Sequence, residues 1–324
     1  DPATTMAQLS LVTASPSGGG KVSRTLAACG GTVYRFDAST RTAITDADAA
    51  TNPLDTAPRY VHSVALFGKA FFVDGRAAKV YDALADTLGN FKADGKGRVP
   101  ERCRIIEKYA GGLVLCAGDD PHEWFMSARP RPFDWDYAPD VQTVTQAWKG
   151  GLGGPGRLPD IVNGFCPIFD DLALFFCDHS IWRMTGDPLD GGVVTLVSDI
   201  TGGAWGRAWC RDASGNVYFY GSRGSVWRMA PDGEPQRIST AIDASRLATI
   251  DLSTHLIRMA WDDRWRGVHL FVTPYDGSEP TVNYWWDADT QVRQTIDIVK
   301  TPGSWWPDKF DNVDHNPLAV YPFD

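Results

Sequence analysis

The chain has 324 residues, of which 43% are hydrophobic and 22% charged, so it can bury a large core and is not intrinsically disordered. Its formal net charge of −9 argues against a nucleic-acid-binding surface, because affinity there comes mainly from clustered cations. No run approaches the ~18 consecutive apolar residues of a membrane span, so none is predicted.

The composition favours strands and turns over helices. The 32 Gly, 21 Pro and 35 Asp residues favour turns, whereas Glu, which favours helices, occurs only five times. The sequence therefore predicts an all-β chain. The six cysteines never form a C-x-x-C pair and lie mostly in apolar runs, so we expect buried free thiols and folding in a reducing cytoplasm.

The N-terminal part differs in composition from the rest. Residues 1–25 are rich in Ser, Thr and Gly, and we expect an N-terminal arm or a closing strand there, with one strand near residues 7–15. Residues 26–324 are expected to form a single larger domain.

Two segments in the middle of the chain repeat each other. LALFFCDHSIWRMTGD (172–187) aligns without a gap with VYFYGSRGSVWRMAPD (217–232). Each segment is an apolar run, a polar turn and a second run, which is the pattern of a β-hairpin. The repeated residues, which we expect to pack between neighbouring sheets, are Trp182, Arg183, Met184, Trp227, Arg228 and Met229.

Weaker copies of the same pattern occur along the chain. With the two hairpins, six apolar runs begin 38, 42, 60, 44 and 51 residues apart, at Val33, Phe71, Leu113, Ala173, Val217 and Val268. A period near 40–45 residues, with several strands and no helix, is typical of a β-propeller blade. The predicted fold is therefore an all-β propeller of about six to seven blades.

Two segments interrupt this period. The Gly-rich stretch 147–160 lies in the longest interval and is predicted to be a loop inserted in the third blade. The tail 304–324 ends in an apolar run with no hairpin after it. We expect this tail either to close the ring by pairing with N-terminal residues or to belong to a further blade.

One segment resembles a known family. The run GGLVLCAG (111–118) precedes DPHEWFMSARPRPFDWDY (120–137), and a strand followed by "W/Y-F-S-A" and "P-x-D-W/F" resembles a segment of the propeller-type structural proteins of tailed bacteriophages. That family includes tail-nozzle and head-to-tail connector proteins, and NPLAVYPFD (316–324) is also similar to it. The matching residues are Trp124, Phe125, Ser127, Ala128, Pro132, Asp134, Trp135 and Asp136.

The resemblance implies a non-enzymatic component of a virion tail or connector. Such a protein would assemble with copies of itself into a cyclic ring, contact other virion proteins, and let DNA pass without binding it specifically. Ring contacts are expected from residues 1–25, from 129–140 and from the Gly-rich loop. The candidate contact residues in that loop are Trp148, Lys149, Leu152 and Arg157.

The sequence contains only incomplete versions of two motifs associated with catalysis. His122 and Glu123 lack the second His of a zinc-protease helix, and SGGGKVS (17–23) has Val22 where a phosphate loop needs a hydroxyl. The sequence therefore predicts no metal, no cofactor and no enzyme. Two alternatives stay open: a lectin-like propeller contacting host glycans, and a glycoside hydrolase whose acid is Glu101, Glu107 or Glu123.

Overall fold

The computed structural model describes residues 6–15, 20–37, 40–55, 61–95, 97–150, 156–239, 246–275, 281–288 and 305–309. Within these residues, 24 strands form six sheets of four strands each. Each sheet consists of four strands that are consecutive in the chain, and we number the sheets as blades 1 to 6.

The first three blades lie in the N-terminal half of the chain. Blade 1 contains β1 (Met6–Ala14), β2 (Val22–Cys29), β3 (Thr32–Asp37) and β4 (Thr40–Ala43). Blade 2 contains β5 (His62–Leu66), β6 (Lys69–Val73), β7 (Ala78–Asp82) and β8 (Thr87–Asn90). Blade 3 contains β9 (Ile105–Tyr109), β10 (Gly112–Cys116), β11 (Trp124–Met126) and β12 (Trp148–Lys149).

The other three blades follow the same plan. Blade 4 contains β13 (Val162–Phe169), β14 (Leu172–Cys177), β15 (Ile181–Thr185) and β16 (Val193–Ser198). Blade 5 contains β17 (Trp209–Arg211), β18 (Val217–Tyr220), β19 (Val226–Met229) and β20 (Gln236–Arg237). Blade 6 contains β21 (His255–Asp262), β22 (Gly267–Pro274), β23 (Val282–Asp287) and β24 (Trp305–Lys309).

The blades are arranged around a common axis by their first strands. β5 contacts both β1 and β9, β9 contacts β13, and β17 contacts β21. All pairings between neighbouring strands within the sheets are antiparallel. The described residues form a β-propeller of six blades, which confirms the predicted fold class.

Hydrophobic clusters between successive blades form the core. Five such clusters lie between blades 1 and 2, 2 and 3, 3 and 4, 4 and 5, and 5 and 6. On β14, Ala173, Phe175 and Cys177 face blade 3, whereas Leu174 and Phe176 face blade 5. Because side chains alternate across a strand and both faces are buried here, the sequence shows a continuous apolar run.

The two repeated segments form the hairpins β14–β15 and β18–β19, as predicted. Their registers differ by one residue. Trp182 lies opposite Phe175, whereas the equivalent Trp227 lies opposite Phe219. Counted between the last paired residues, Phe176 and Ile181 in one hairpin and Tyr220 and Val226 in the other, the second turn is one residue longer, and it contains Ser225 at a φ of 85°.

The predicted runs lie on equivalent strands in five of the six blades. Phe71 and Val268, like the runs of blades 3 to 5, begin on second strands, whereas Val33 lies on the third strand β3. The second strand of blade 1 is β2, which crosses the expected boundary at residue 25. Residues 6–14 form β1, so the described part of the expected arm belongs to blade 1.

The two predicted interruptions also take part in blades. In the Gly-rich stretch, Trp148–Lys149 forms β12 and pairs with β11, and residues 151–155 lie outside the described part. In the tail, Trp305–Lys309 forms β24 and pairs with β23 rather than with an N-terminal strand. Residues 310–324 lie outside the described part.

The cysteines are free thiols, and five of the six are buried, as expected from the apolar runs that contain them. Cys29 is the partly exposed one.

Candidate functional site

A cluster of charged side chains crosses the centre of the propeller. Arg207, which lies just before β17, donates from Nε and Nη2 to the two carboxylate oxygens of Glu107 on β9, at 2.6 and 2.8 Å. Nε2 of His62 on β5 lies 2.8 Å from Glu107 Oε1. Blades 3 and 5 are not neighbours, so this ionic cluster joins blades 2, 3 and 5 across the axis.

The surroundings of the cluster fix its protonation. Burial alone would raise the pKa of Glu107, but Arg207 and His62 together lower it to about 2. Burial lowers the pKa of His62 to about 4, although Glu107 acts in the opposite direction. At neutral pH His62 is therefore neutral and donates to the ionised Glu107. A glycosidase acid needs a raised pKa, so Glu107 is suited to holding blades together rather than to donating a proton.

At one end of the axis the first turns of blades 2 to 6 surround a cavity of about 940 Å³, which we call the mouth. The residues that line the mouth are Leu66, 108–111, 167–171, 211–213, Gly215 and Asp263. Its charged lining includes four carboxylates and only two cations, Lys108 and Arg211, and the Arg211 guanidinium donates to the carbonyl of Ile168. The mouth is therefore acidic.

Exposed aromatic side chains stand on the turns at this end of the molecule. Phe67, Phe169 and Trp265 are 58%, 48% and 63% exposed, and they come from blades 2, 4 and 6. Phe67 also has a φ of 49°, in the left-handed region where a bulky residue costs about 1–2 kcal/mol. Exposed aromatic residues grouped around a cavity are typical of a binding surface.

The residues of the phage-like segment lie on β11 and the loop that leads to β12: Trp124, Phe125, Ser127, Ala128, Pro132, Asp134, Trp135 and Asp136. Trp124, Ser127 and Trp135 are fully buried. Trp135 Nε1 donates to the carbonyl of Pro132 at 3.0 Å, and Ser127 Oγ accepts from the backbone N–H of Leu113 at 3.0 Å. The two tryptophans and Ser127 therefore serve packing, whereas Asp134 and Asp136 line a small cavity of about 320 Å³.

The repeated hairpin residues lie on β15 and β19: Trp182, Arg183, Met184, Trp227, Arg228 and Met229. Both methionines are buried in clusters between blades, and both tryptophans pack against such clusters. Arg183 donates to the carbonyl of Gly233 on the next blade, whereas Arg228 lies 6.0 Å from the ring centroid of Tyr218. Five of the six therefore lie at contacts between blades, whereas Arg228 is exposed and its ring contact is within blade 5.

The candidate contact residues of the Gly-rich stretch are in different environments. Trp148 is buried and packs between blades 3 and 4, so its side chain is not available to a partner. Lys149 and Arg157 are partly exposed, and Arg157 Nη2 lies 2.7 Å from Asp120 Oδ2. Leu152 lies outside the described residues.

His122 and Glu123 serve local structure. His122 Nδ1 lies 3.2 Å from the Leu158 carbonyl, and Glu123 forms an ion pair with Lys149 at 3.2 Å. In the described part of the chain, no three His, Cys, Asp or Glu side chains are grouped so as to hold a metal ion. Among the same residues no helix is long and apolar enough to cross a membrane.

Comparison with known proteins agrees on the fold. No protein-family model matches the sequence, and no curated protein matches it. The extracellular domain of a hybrid two component system from B. thetaiotaomicron is similar, with a TM-score of 0.53 and 9% identity over 88% of this chain and 34% of that one. A catalytically inactive virginiamycin B lyase from Staphylococcus aureus, solved with quinupristin, has a TM-score of 0.52 and 10% identity over 96% and 85% of the two chains.

These likenesses show a shared architecture. The chain spans only about a third of the length of the first of these proteins. At about 10% identity, the similarity establishes the propeller and carries no activity or ligand from one protein to the other.

Sequence reasoning did not find the central ionic cluster as a unit. The sequence singles out Glu107 as one of three candidate acids, but it indicates no role for His62 or Arg207. One signal was present: Glu107 is a charged residue inside a buried strand, with Ile105, Ile106 and Tyr109 around it. The sequence also indicates the exposed aromatic residues, since Phe67 and Trp265 lie in polar or Gly-containing turns between apolar runs.

Proposed function

We propose that this chain is a non-enzymatic structural component of a bacteriophage virion, in the tail or the head-to-tail connector. The observation that carries the proposal is the construction of the phage-like segment. Its tryptophans, Trp124 and Trp135, are fully buried and brace two neighbouring blades. The residues that resemble those of virion proteins thus pack the blades firmly against one another, and a virion subunit requires such a rigid fold.

The centre of the propeller supports the same proposal. Propeller hydrolases are expected to place a carboxyl of raised pKa beside a second carboxylate. Here Glu107 is held by Arg207 and its pKa is lowered. The buried cluster also occupies the propeller axis, so the DNA channel of the proposed ring would run between subunits and not through a single propeller.

In such a ring each subunit would contact the next through two different surfaces. The proposed contact segment 129–140 is exposed in part: the side chain of Arg131 is 60% exposed, and Val141 just beyond the segment is 76% exposed. Other virion proteins would dock on the ends of the propeller, where the mouth and its aromatic turns lie.

Mass spectrometry of purified particles tests this function. We expect the protein in intact virions at a fixed ratio to the portal protein, and ring-shaped assemblies of the isolated chain by native mass spectrometry. Its absence from intact virions would refute the proposal.

A second candidate is glycan binding at the mouth, and the exposed aromatic turns favour it. Aromatic faces next to carboxylates suit a sugar, whose C–H faces stack and whose hydroxyls donate hydrogen bonds. A glycan array with the wild-type chain and Trp265→Ala tests this candidate. Val193→Ala, a change at another exposed apolar residue, is the control. Glycan binding that is lost only in Trp265→Ala would support the lectin role, and a flat array would remove it.

A further inference from the structure

From a second cavity, between blades 2 and 3, we infer a binding site for phosphate groups. This cavity of about 490 Å³ is formed by the connection into β5, the β6–β7 turn and the β8–β9 connection. These segments lie at the end of the blades opposite the mouth, because successive turns of an antiparallel sheet alternate between its two ends. We call the cavity the cationic groove, since four of its five charged lining residues are Arg76, Lys92, Arg98 and Arg102.

The lining of the groove is positively charged, whereas the chain as a whole is negatively charged. The chain carries a formal charge of −9, yet the groove is lined by four cations and a single carboxylate, Glu101. Lys92 and Arg102 have carboxylate neighbours at 3.7 and 3.2 Å. Among the described residues, neither Arg76 nor Arg98 has a carboxylate within 4.0 Å. Two guanidinium groups are therefore available to an anion.

The carboxylate nearest to Arg76 in sequence is already satisfied. Asp74 accepts hydrogen bonds from the backbone N–H groups of Asp55, Arg76 and Ala77, at 2.7, 2.8 and 2.7 Å. These bonds fix the β6–β7 turn and engage the Asp74 oxygens with backbone donors. The Arg76 side chain is consequently left exposed at the groove.

The groove is held rigidly by the phage-like segment. The backbone N–H of Asp94 donates to the Phe133 carbonyl at 2.9 Å, and Gly97 pairs with Trp135. Phe91 packs edge-on against Trp135, with ring centroids 6.0 Å apart. Gly97 has a φ of 91°, and a Cβ there would overlap the Trp135 carbonyl, so only glycine fits this close approach. A preorganised loop lowers the entropic cost of binding.

The chemistry of the lining points to phosphate. Guanidinium groups present a planar fork of donors that matches two phosphate oxygens, and several cations in one groove favour a ligand with more than one negative charge. Such a ligand is either a phosphodiester backbone or a small polyphosphate. This inference concerns a site remote from the mouth, and it holds whether or not the chain is a virion protein.

Binding measurements with two probes test the site. The probes are a fluorescein-labelled single-stranded DNA of about 12 nucleotides, followed by anisotropy, and tripolyphosphate, followed by calorimetry at low salt. We expect the wild-type chain to bind at least one probe, and Arg98→Glu and Arg76→Glu each to weaken binding by about tenfold or more. Arg223→Glu, in an exposed turn of blade 5, makes the same change in net charge and should leave affinity within about twofold.

The outcomes separate the two sources of phosphate. Binding of the DNA probe, with or without tripolyphosphate, identifies a phosphodiester backbone as a ligand, with an affinity that falls with salt. Binding of tripolyphosphate alone identifies a small phosphorylated ligand. Binding of neither probe overturns the inference, and so does an equal loss in Arg223→Glu. Circular dichroism and melting temperature of each variant show that a loss of binding is not a loss of fold.

Discussion

Replacing Glu107 by Gln tests whether the central ionic cluster holds the propeller together. The side chain of Glu107 is only 4% exposed, and Gln keeps its shape but removes the charge that Arg207 faces. Its pKa is lowered from 4.5 to about 2, so folding favours the ionised form over the protonated form by about 3 kcal/mol. Loss of one partner of a buried pair costs a similar ~3–5 kcal/mol.

We therefore expect Glu107→Gln to lower the free energy of unfolding by about 3 kcal/mol, measured by urea denaturation with tryptophan fluorescence. Glu101→Gln is the matched control, because it makes the same chemical change at an exposed residue in the connection leading into β9. A double-mutant cycle with Arg207→Gln should give a coupling of about 2 kcal/mol. A loss below about 1 kcal/mol, or a coupling near zero, would refute the reasoning.

Three further outcomes follow from the structure. The pKa of His62 in the folded chain is lowered from 6.5 to about 4. Its contribution to the free energy of unfolding is therefore complete above pH 6.5 and is lost as the pH falls towards 4. His62→Gln should flatten the dependence of the free energy of unfolding on pH between 6.5 and 4.5. Lys79→Met should cost about 3 kcal/mol by denaturation, because it leaves the Asp46 carboxylate, 2.6 Å from the fully buried Lys79 Nζ, without its cation; an unchanged midpoint would contradict this. Phe67→Asn should stabilise the chain by about 1 kcal/mol in calorimetry, because Asn-Gly suits the two-residue turn at positive φ, and a lower melting temperature would contradict the assigned strain.

The fold could be predicted because each blade is local in sequence. Its four strands follow one another, and short turns join most of them, so hairpins such as 172–187 are visible as apolar runs separated by polar turns. The position of blade 1 was harder to predict. Its second strand, Val22–Cys29, is adjacent to Ser- and Gly-rich sequence that resembles a flexible arm.

The central cluster could not be predicted, because its geometry depends on the radial arrangement of the blades. Glu107 and Arg207 are 100 residues apart, and they meet only when blades 3 and 5 point at the same axis. No spacing of residues along the sequence indicates that these two side chains come into contact. The cationic groove is similar, since Arg76 and Arg98 come from two separate connections whose proximity is set by packing of Trp135 against the β8–β9 loop.

The bond between Glu107 and Arg207 has a consequence for how the molecule comes apart. An array in which every unit touches only its neighbours behaves as a one-dimensional chain, and it can lose its end units one at a time. A tie between the third and the fifth units removes that freedom for the blades that it joins, because neither can separate without breaking it. Blades 3 and 5 should therefore unfold together rather than one after the other.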